Sequence, residues 1–149
     1  MPESYTLMDH TADIGIVVRG RDLAELFNNA ALALFDLMID PATVESRTTS
    51  RHELEASMLD ELLNAWLARL LEDFTVEKSV YGSFAIEEIG PIGAGMGVAS
   101  GFRLRASASG ERFDPARHGV RREIKAVTFH ELCVSESRGG WEAQVIFDT

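Results

Sequence analysis

The sequence predicts an α+β fold: two amphipathic helices packed on mainly antiparallel β-sheet. Two stretches, Leu23 to Met38 and Leu59 to Phe74, repeat apolar residues at the helical period. The segments around them carry β-branched runs or strict apolar–polar alternation. Their order is strand, helix, strand, helix and then several strands, which argues for helices lying on antiparallel sheet. The 149 residues are expected to form a single domain, residues 1–149. A chain of that size buries roughly 70% of its unfolded surface and needs no disulfide or structural metal to fold.

The first strand is expected where Asp9-His10-Thr11-Ala12-Asp13 runs into Ile14-Gly15-Ile16-Val17-Val18. Asp22 with Glu25 three residues on forms a capping-box arrangement for the first helix, and Pro41 stops it. Arg47 to Ala56 is polar and reads as a short edge strand. Ser57 with Asp60 starts the second helix, whose opposite face (Glu61, Asn64, Ala68, Arg69, Glu72) reads as solvated. Val80 to Ile89 is strand-like, and Phe102, Leu104, Ala106 and Ala108 alternate with polar residues. Glu123 to Val134 and Trp141 to Phe147 complete the strands, divided by the turn-forming Ser137-Arg138-Gly139-Gly140.

Composition excludes several classes. Fourteen basic residues against 24 acidic give a net charge of −10, which repels phosphate backbones and opposes stable, direct nucleic-acid binding. That balance suits a basic partner surface or the concentration of cations. The single Cys133 precludes an intramolecular disulfide and a Cys-rich zinc site, and its apolar flanks predict burial. The first residues, Met1 to Tyr5, show no basic or apolar run of a signal peptide, and no stretch approaches the ~18 apolar residues of a membrane span. A cytoplasmic protein is expected.

Few motifs carry chemistry. Gly90 to Gly97 lacks the Gly-Lys-Ser/Thr ending of a phosphate loop and reads as a hairpin connection. The serines show no nucleophile elbow, and His10, His52, His118 and His130 form no His-x-x-x-His pair. Asp9 to Asp13 by itself reads as a polar turn, and Asp148 by itself as part of a frayed end. Together they mean more. If the first and last strands are neighbours, Asp13 and Asp148 converge, and two adjacent carboxylates call for a cation between them. Oxygen ligands of that kind suit Ca²⁺, Mg²⁺ or Mn²⁺. Lys125, in a partly apolar strand, is either a snorkelling side chain or a contact for phosphate or an acidic group.

Asp9-His10-Thr11-Ala12-Asp13-Ile14-Gly15 resembles the N-terminal signature of the archease family. Glu123-Ile124-Lys125-Ala126-Val127-Thr128-Phe129-His130 resembles its second signature, and Val145-Ile146-Phe147-Asp148-Thr149 its ending. The two helices, Gly110-Glu111 and His118 also fall where the family has them, so the resemblance spans nearly the whole chain. It implies a fold of strand-helix-strand-strand type modules and an accessory role rather than an enzymatic one. Archeases activate the RtcB-type RNA ligase of tRNA splicing and RNA repair, promoting its guanylylation and multiple turnover. Carried over by position, Asp13 and Asp148 are the metal-binding carboxylates, and the backbone of Thr149 can add an oxygen. Lys125 matches a functional lysine; His10 and His130 receive supporting roles, His10 expected to orient the Asp13 loop and His130 to be simply packed.

Three departures stand out. Met58 occupies a place where the family often has Asp, which would leave helix capping to Ser57. Arg69 stands where Glu is frequent, and the Gly90–Gly97 loop is long. Two other functions compete with the activator reading: a stand-alone metal-dependent phosphoesterase using the same carboxylates, and a chaperone-like binding module with no metal.

Overall fold

The computed structural model describes residues 5–8, 13–93 and 100–149. The chain opens with strands β1 (Tyr5–Met8) and β2 (Asp13–Gly20), followed by helix α1 (Leu23–Met38) and a 3₁₀ turn at Pro41–Thr43. Strand β3 (Thr48–Ala56), helix α2 (Leu59–Thr75) and the long strands β4 (Ser79–Pro91) and β5 (Phe102–Arg112) come next. A one-turn helix α3 (Pro115–His118) leads to β6 (Ala126–Val127), β7 (Cys133–Ser137) and β8 (Gly140–Asp148).

Two antiparallel sheets result. One has the order β1-β2-β8-β6, with β7 also paired to β8; the other has the order β3-β5-β4. Helix α1 packs on β1, β2 and β8 of the first sheet and on β4 of the second. Helix α2 touches β3, β4 and β5 as well as β6 and β7. This double engagement is why α1 buries Ala30, Ala31 and Ala33 beside Leu26, Phe27, Leu34 and Phe35. Small residues let a helix approach two neighbours at once. Trp66 of α2 is fully buried, and its indole N–H donates to the Phe27 carbonyl at 3.1 Å, joining the two helices. The α+β class with helices on antiparallel sheet is as the pattern predicts.

Local signals explain most boundaries. The Asp22 carboxylate accepts the Glu25 N–H at 2.8 Å as the cap of α1. Glu25 reaches back to the Arg21 N–H at 2.8 Å, one residue earlier than an ideal capping box. Strand β3 pairs only with β5, so it is the edge strand its polarity predicts. The glycine-rich stretch joins two paired strands, with Gly90 and Pro91 inside β4; the expected loop at residues 94–97 lies outside the described residues. Gly110 is required by close approach: a Cβ there would meet the Val80 carbonyl oxygen at 1.8 Å.

Several expectations fail, each for a tertiary reason. The run from Glu123 to Val134 is not one strand; β6 has two residues, and a turn with Glu131 at φ 53° separates it from β7. The amide of Asn64, placed on the solvated face of α2, is only 7% exposed because it donates to the carbonyls of Val127 and Thr128 at 3.3 and 3.2 Å. Ser57 does not cap α2: Met58 is the cap residue, without a side-chain hydrogen bond, and the Ser57 hydroxyl donates to Glu61 at 2.5 Å. Cys133, expected inside, is exposed at the start of β7. Arg69, by contrast, is on the solvated face as expected, half exposed and reaching Asp73 at 3.5 Å.

Candidate metal centre

The register of β2 against β8 builds the site. Three apolar pairs, Ile14 with Phe147, Ile16 with Val145 and Val18 with Ala143, stand opposite one another. Ile16, Val18, Ala143, Val145 and Phe147 are buried in the core. Side chains alternate across a strand, so a slip of one residue would move this apolar row off the face that joins the core and is strongly disfavoured. The same register sets Asp13 opposite Asp148 on the other face of the sheet. Directly opposed residues hold their Cβ atoms about 4.5–5.5 Å apart, within reach of one shared ion.

The row continues to the third strand, where Ala126 stands opposite Asp148. The Lys125 N–H donates to the Asp148 carbonyl at 2.7 Å, fixing the end of β8 from that side. Among the described residues, neither the Asp13 nor the Asp148 carboxylate meets a cation or a hydrogen-bond donor. Among the described residues, too, no group of three or more His, Cys, Asp or Glu side chains gathers around an ion-sized space. Two bare, opposed carboxylates are a poor arrangement for a protein alone and a fitting one for a hard divalent cation, which takes oxygen ligands and retains water. The donor set therefore fits the ion.

The other anticipated residues fall in different places. His10 lies outside the described residues, in the segment between β1 and β2. Thr149 follows Asp148 and is exposed. The backbone of Lys125 borders the carboxylates, while its side chain lines a hollow with Phe74, Thr75, Lys78, Phe113, Glu123 and Ile124. His130 stands in the turn after β6 with its ring 69% exposed and 3.2 Å from Glu131, so it is not packed.

Two buried polar clusters are not picked out as sites by the sequence: Glu45 and Arg47 stand far along the chain from Glu111, and Ser50, Asp73 and Tyr81 lie on three different elements. The Glu111 carboxylate accepts the Glu45 N–H at 2.8 Å and the His118 ring at 2.9 Å, and pairs with Arg117 and with Arg47. The His118 Nδ1 accepts the Asp114 N–H at 2.8 Å, which assigns the ring proton to Nε2 for donation to Glu111. The Glu45 N–H first, then the His118 hydrogen bond and the Arg117 charge, bring the Glu111 carboxyl down to about 2. In the second cluster Tyr81 donates to Asp73 at 2.6 Å and shares a hydrogen bond with Ser50 at 2.9 Å. Burial, with the Asp73 hydrogen bond, pushes the Tyr81 phenol up to about 12. Burial also lowers the His52 imidazole below its ordinary value, against the opposing pull of Asp73. Both clusters tie strands of the second sheet to α2, to α3 or to the segment before β3.

Comparisons with known proteins agree with this fold. Residues 5–149 match the model of the archease protein family (MTH1598/TM1083). Protein archease of Methanosarcina mazei is 38% identical over 146 residues, covering 98% of this chain and 96% of its own. That of Sulfolobus acidocaldarius is 33% identical over 144 residues, covering 97% of each. The solution structure of Methanobacterium thermoautotrophicum protein 1598 superposes with a TM-score of 0.79 at 32% identity, over 99% of this chain and 100% of that one. A crystal structure of an archease and possible chaperone from Thermotoga maritima shares the fold at 18% identity and a TM-score of 0.55, over 95% of this chain and 94% of that one. With a family match over almost every residue and relatives 33–38% identical end to end, the chain belongs to the archease family.

Proposed function

We propose that this protein is an accessory factor that holds a divalent cation, Ca²⁺, Mg²⁺ or Mn²⁺, on Asp13 and Asp148 and activates an RtcB-type RNA ligase. The observation that carries the reading is the opposition of two carboxylates on neighbouring strands with no protein cation between them among the described residues. The backbone oxygen of Thr149 would complete the protein's share of the ligands. Such an ion supplies a compact positive charge able to bind oxygen atoms of a partner or of phosphate. An ion held by two side chains and water is weakly bound, and hence transferable.

In this reading the protein does not itself turn over RNA. It docks at the ligase in the cytoplasm, and its net charge of −10 favours encounter with a basic, RNA-facing cleft. Lys125 fixes the end of β8 through its backbone. His10 and His130 act in support.

The test is ligation under multiple turnover by the partner ligase with wild type, Asp13→Ala and Asp148→Ala. Stimulation should fall sharply in both variants. Equal stimulation by all three proteins would remove the metal from the account.

A further inference from the structure

The chain has fourteen basic residues, and only two of them, Lys78 and Lys125, are lysines. They lie far apart in sequence yet line the same hollow of about 410 Å³ at the C-terminal end of α2. Its apolar lining is Phe74 and Phe113, in edge-to-face contact with centroids 4.9 Å apart, and the buried Ile124. Glu123 provides a carboxylate. Lys78 has a left-handed backbone (φ 58°), and its carbonyl accepts the Phe113 N–H at 2.7 Å. A bulky residue in that conformation persists where its surroundings hold it. The Lys78 ammonium donates to the Thr75 carbonyl at 3.1 Å, so it is fixed along the wall and keeps two N–H groups for another acceptor.

Three ligand chemistries meet here. Ammonium groups bind phosphate as point charges. Aromatic rings take the face of a nucleobase. A carboxylate accepts from sugar hydroxyls or from an exocyclic amine. The volume is within the range of small-molecule sites. We propose that this hollow binds a nucleoside monophosphate, either free or as the phosphorylated end of an RNA strand. The phosphate meets Lys78 and Lys125, the base stacks on one of the two rings, Phe74 or Phe113, with the other at its edge, and Glu123 takes a sugar hydroxyl. One nucleotide avoids the repulsion that a strongly acidic protein exerts on a long phosphate backbone. The proposal does not depend on metal binding by Asp13 and Asp148.

The experiment is a titration of the full chain, kept metal-free with a chelator, followed by amide chemical shifts. The probes are adenosine 5′-monophosphate, adenosine, inorganic phosphate and a short RNA with a terminal phosphate. Adenosine 5′-monophosphate or the RNA should give saturable shifts centred on Phe74, Lys78, Phe113 and Lys125. Whichever of the two binds more tightly identifies the source of the ligand. Lys78→Gln should weaken binding about tenfold, the loss of one charge-assisted contact, and Lys78→Arg should retain most of it. Phosphate binding as tightly as the nucleotide would overturn the assignment, as would unchanged affinity in Lys78→Gln or no saturable shift in the hollow. Because chelator is present, failure here leaves the carboxylate site untouched, and failure of ion binding leaves this one.

Discussion

Asp13 and Asp148 stand face to face on neighbouring antiparallel strands, held there by the three apolar pairs that follow them into the core. Like charges in directly opposed positions destabilise a sheet by about 0.2–1 kcal/mol. In metal-free protein, Asp13→Asn should therefore raise the unfolding midpoint in urea by an amount in that range. Wild type should also gain thermal stability as Mn²⁺ or Ca²⁺ is added, since an ion that binds only the folded state stabilises it. Asp13→Asn and Asp148→Asn should lose that gain. A metal-dependent rise in Tm that survives in both variants would show that the ion binds elsewhere.

Glu111 links acid stability to the fold. Its carboxyl lies at about 2 in the native protein against an ordinary 4.5. A depressed folded-state value contributes stability that is fully present above pH 4.5 and is lost as the pH falls toward 2. Urea midpoints of wild type measured between those limits should fall steeply. Glu111→Gln should be less stable at neutral pH, leaving His118 and Arg117 without their anion, and its curve should be flatter below pH 4.5. Parallel curves for the two proteins would refute the assignment.

The Tyr81 hydroxyl serves Asp73 and Ser50 in a buried setting. Tyr81→Phe keeps the ring contacts with Phe35 and Phe84 and removes only the hydroxyl. Leaving a buried carboxylate short of a donor costs about 1–3 kcal/mol. Chemical denaturation with an unchanged m-value should read that loss directly.

Helix α2 begins without a side-chain cap at Met58, whose side chain is 54% exposed. Met58→Asp should add the missing acceptor for the first-turn N–H groups and favour the positive end of the helix dipole. Stability should rise by about 0.5–2 kcal/mol, with little apolar burial forfeited. No rise in the calorimetric Tm would mean that those N–H groups already have partners.

The two helices and the alternation of β5 follow directly from apolar period, because a residue's face on an isolated helix or strand depends only on its neighbours in sequence. The edge position of β3 follows in the same way from its polarity. Asp13, Asp148 and Lys125 could be named from motifs that resemble the archease signatures. Other features depend on contacts across the molecule. The burial of Asn64, the break between β6 and β7 and the exposure of Cys133 are decided by α2 packing against residues 127–134. The Glu111 cluster joins residues 45–47, β5 and α3, and the Tyr81 cluster joins β3, α2 and β4. The meeting of Asp13 with Asp148 belongs to both classes: local pattern dictates which face of each strand is apolar, but only the pairing of β2 with β8 brings the two outer faces into one row. Sequence determines the chemistry each strand can present, whereas the burial of Ile14, Ile16, Val18, Val145 and Phe147 against α1 selects the register that puts those two acids together.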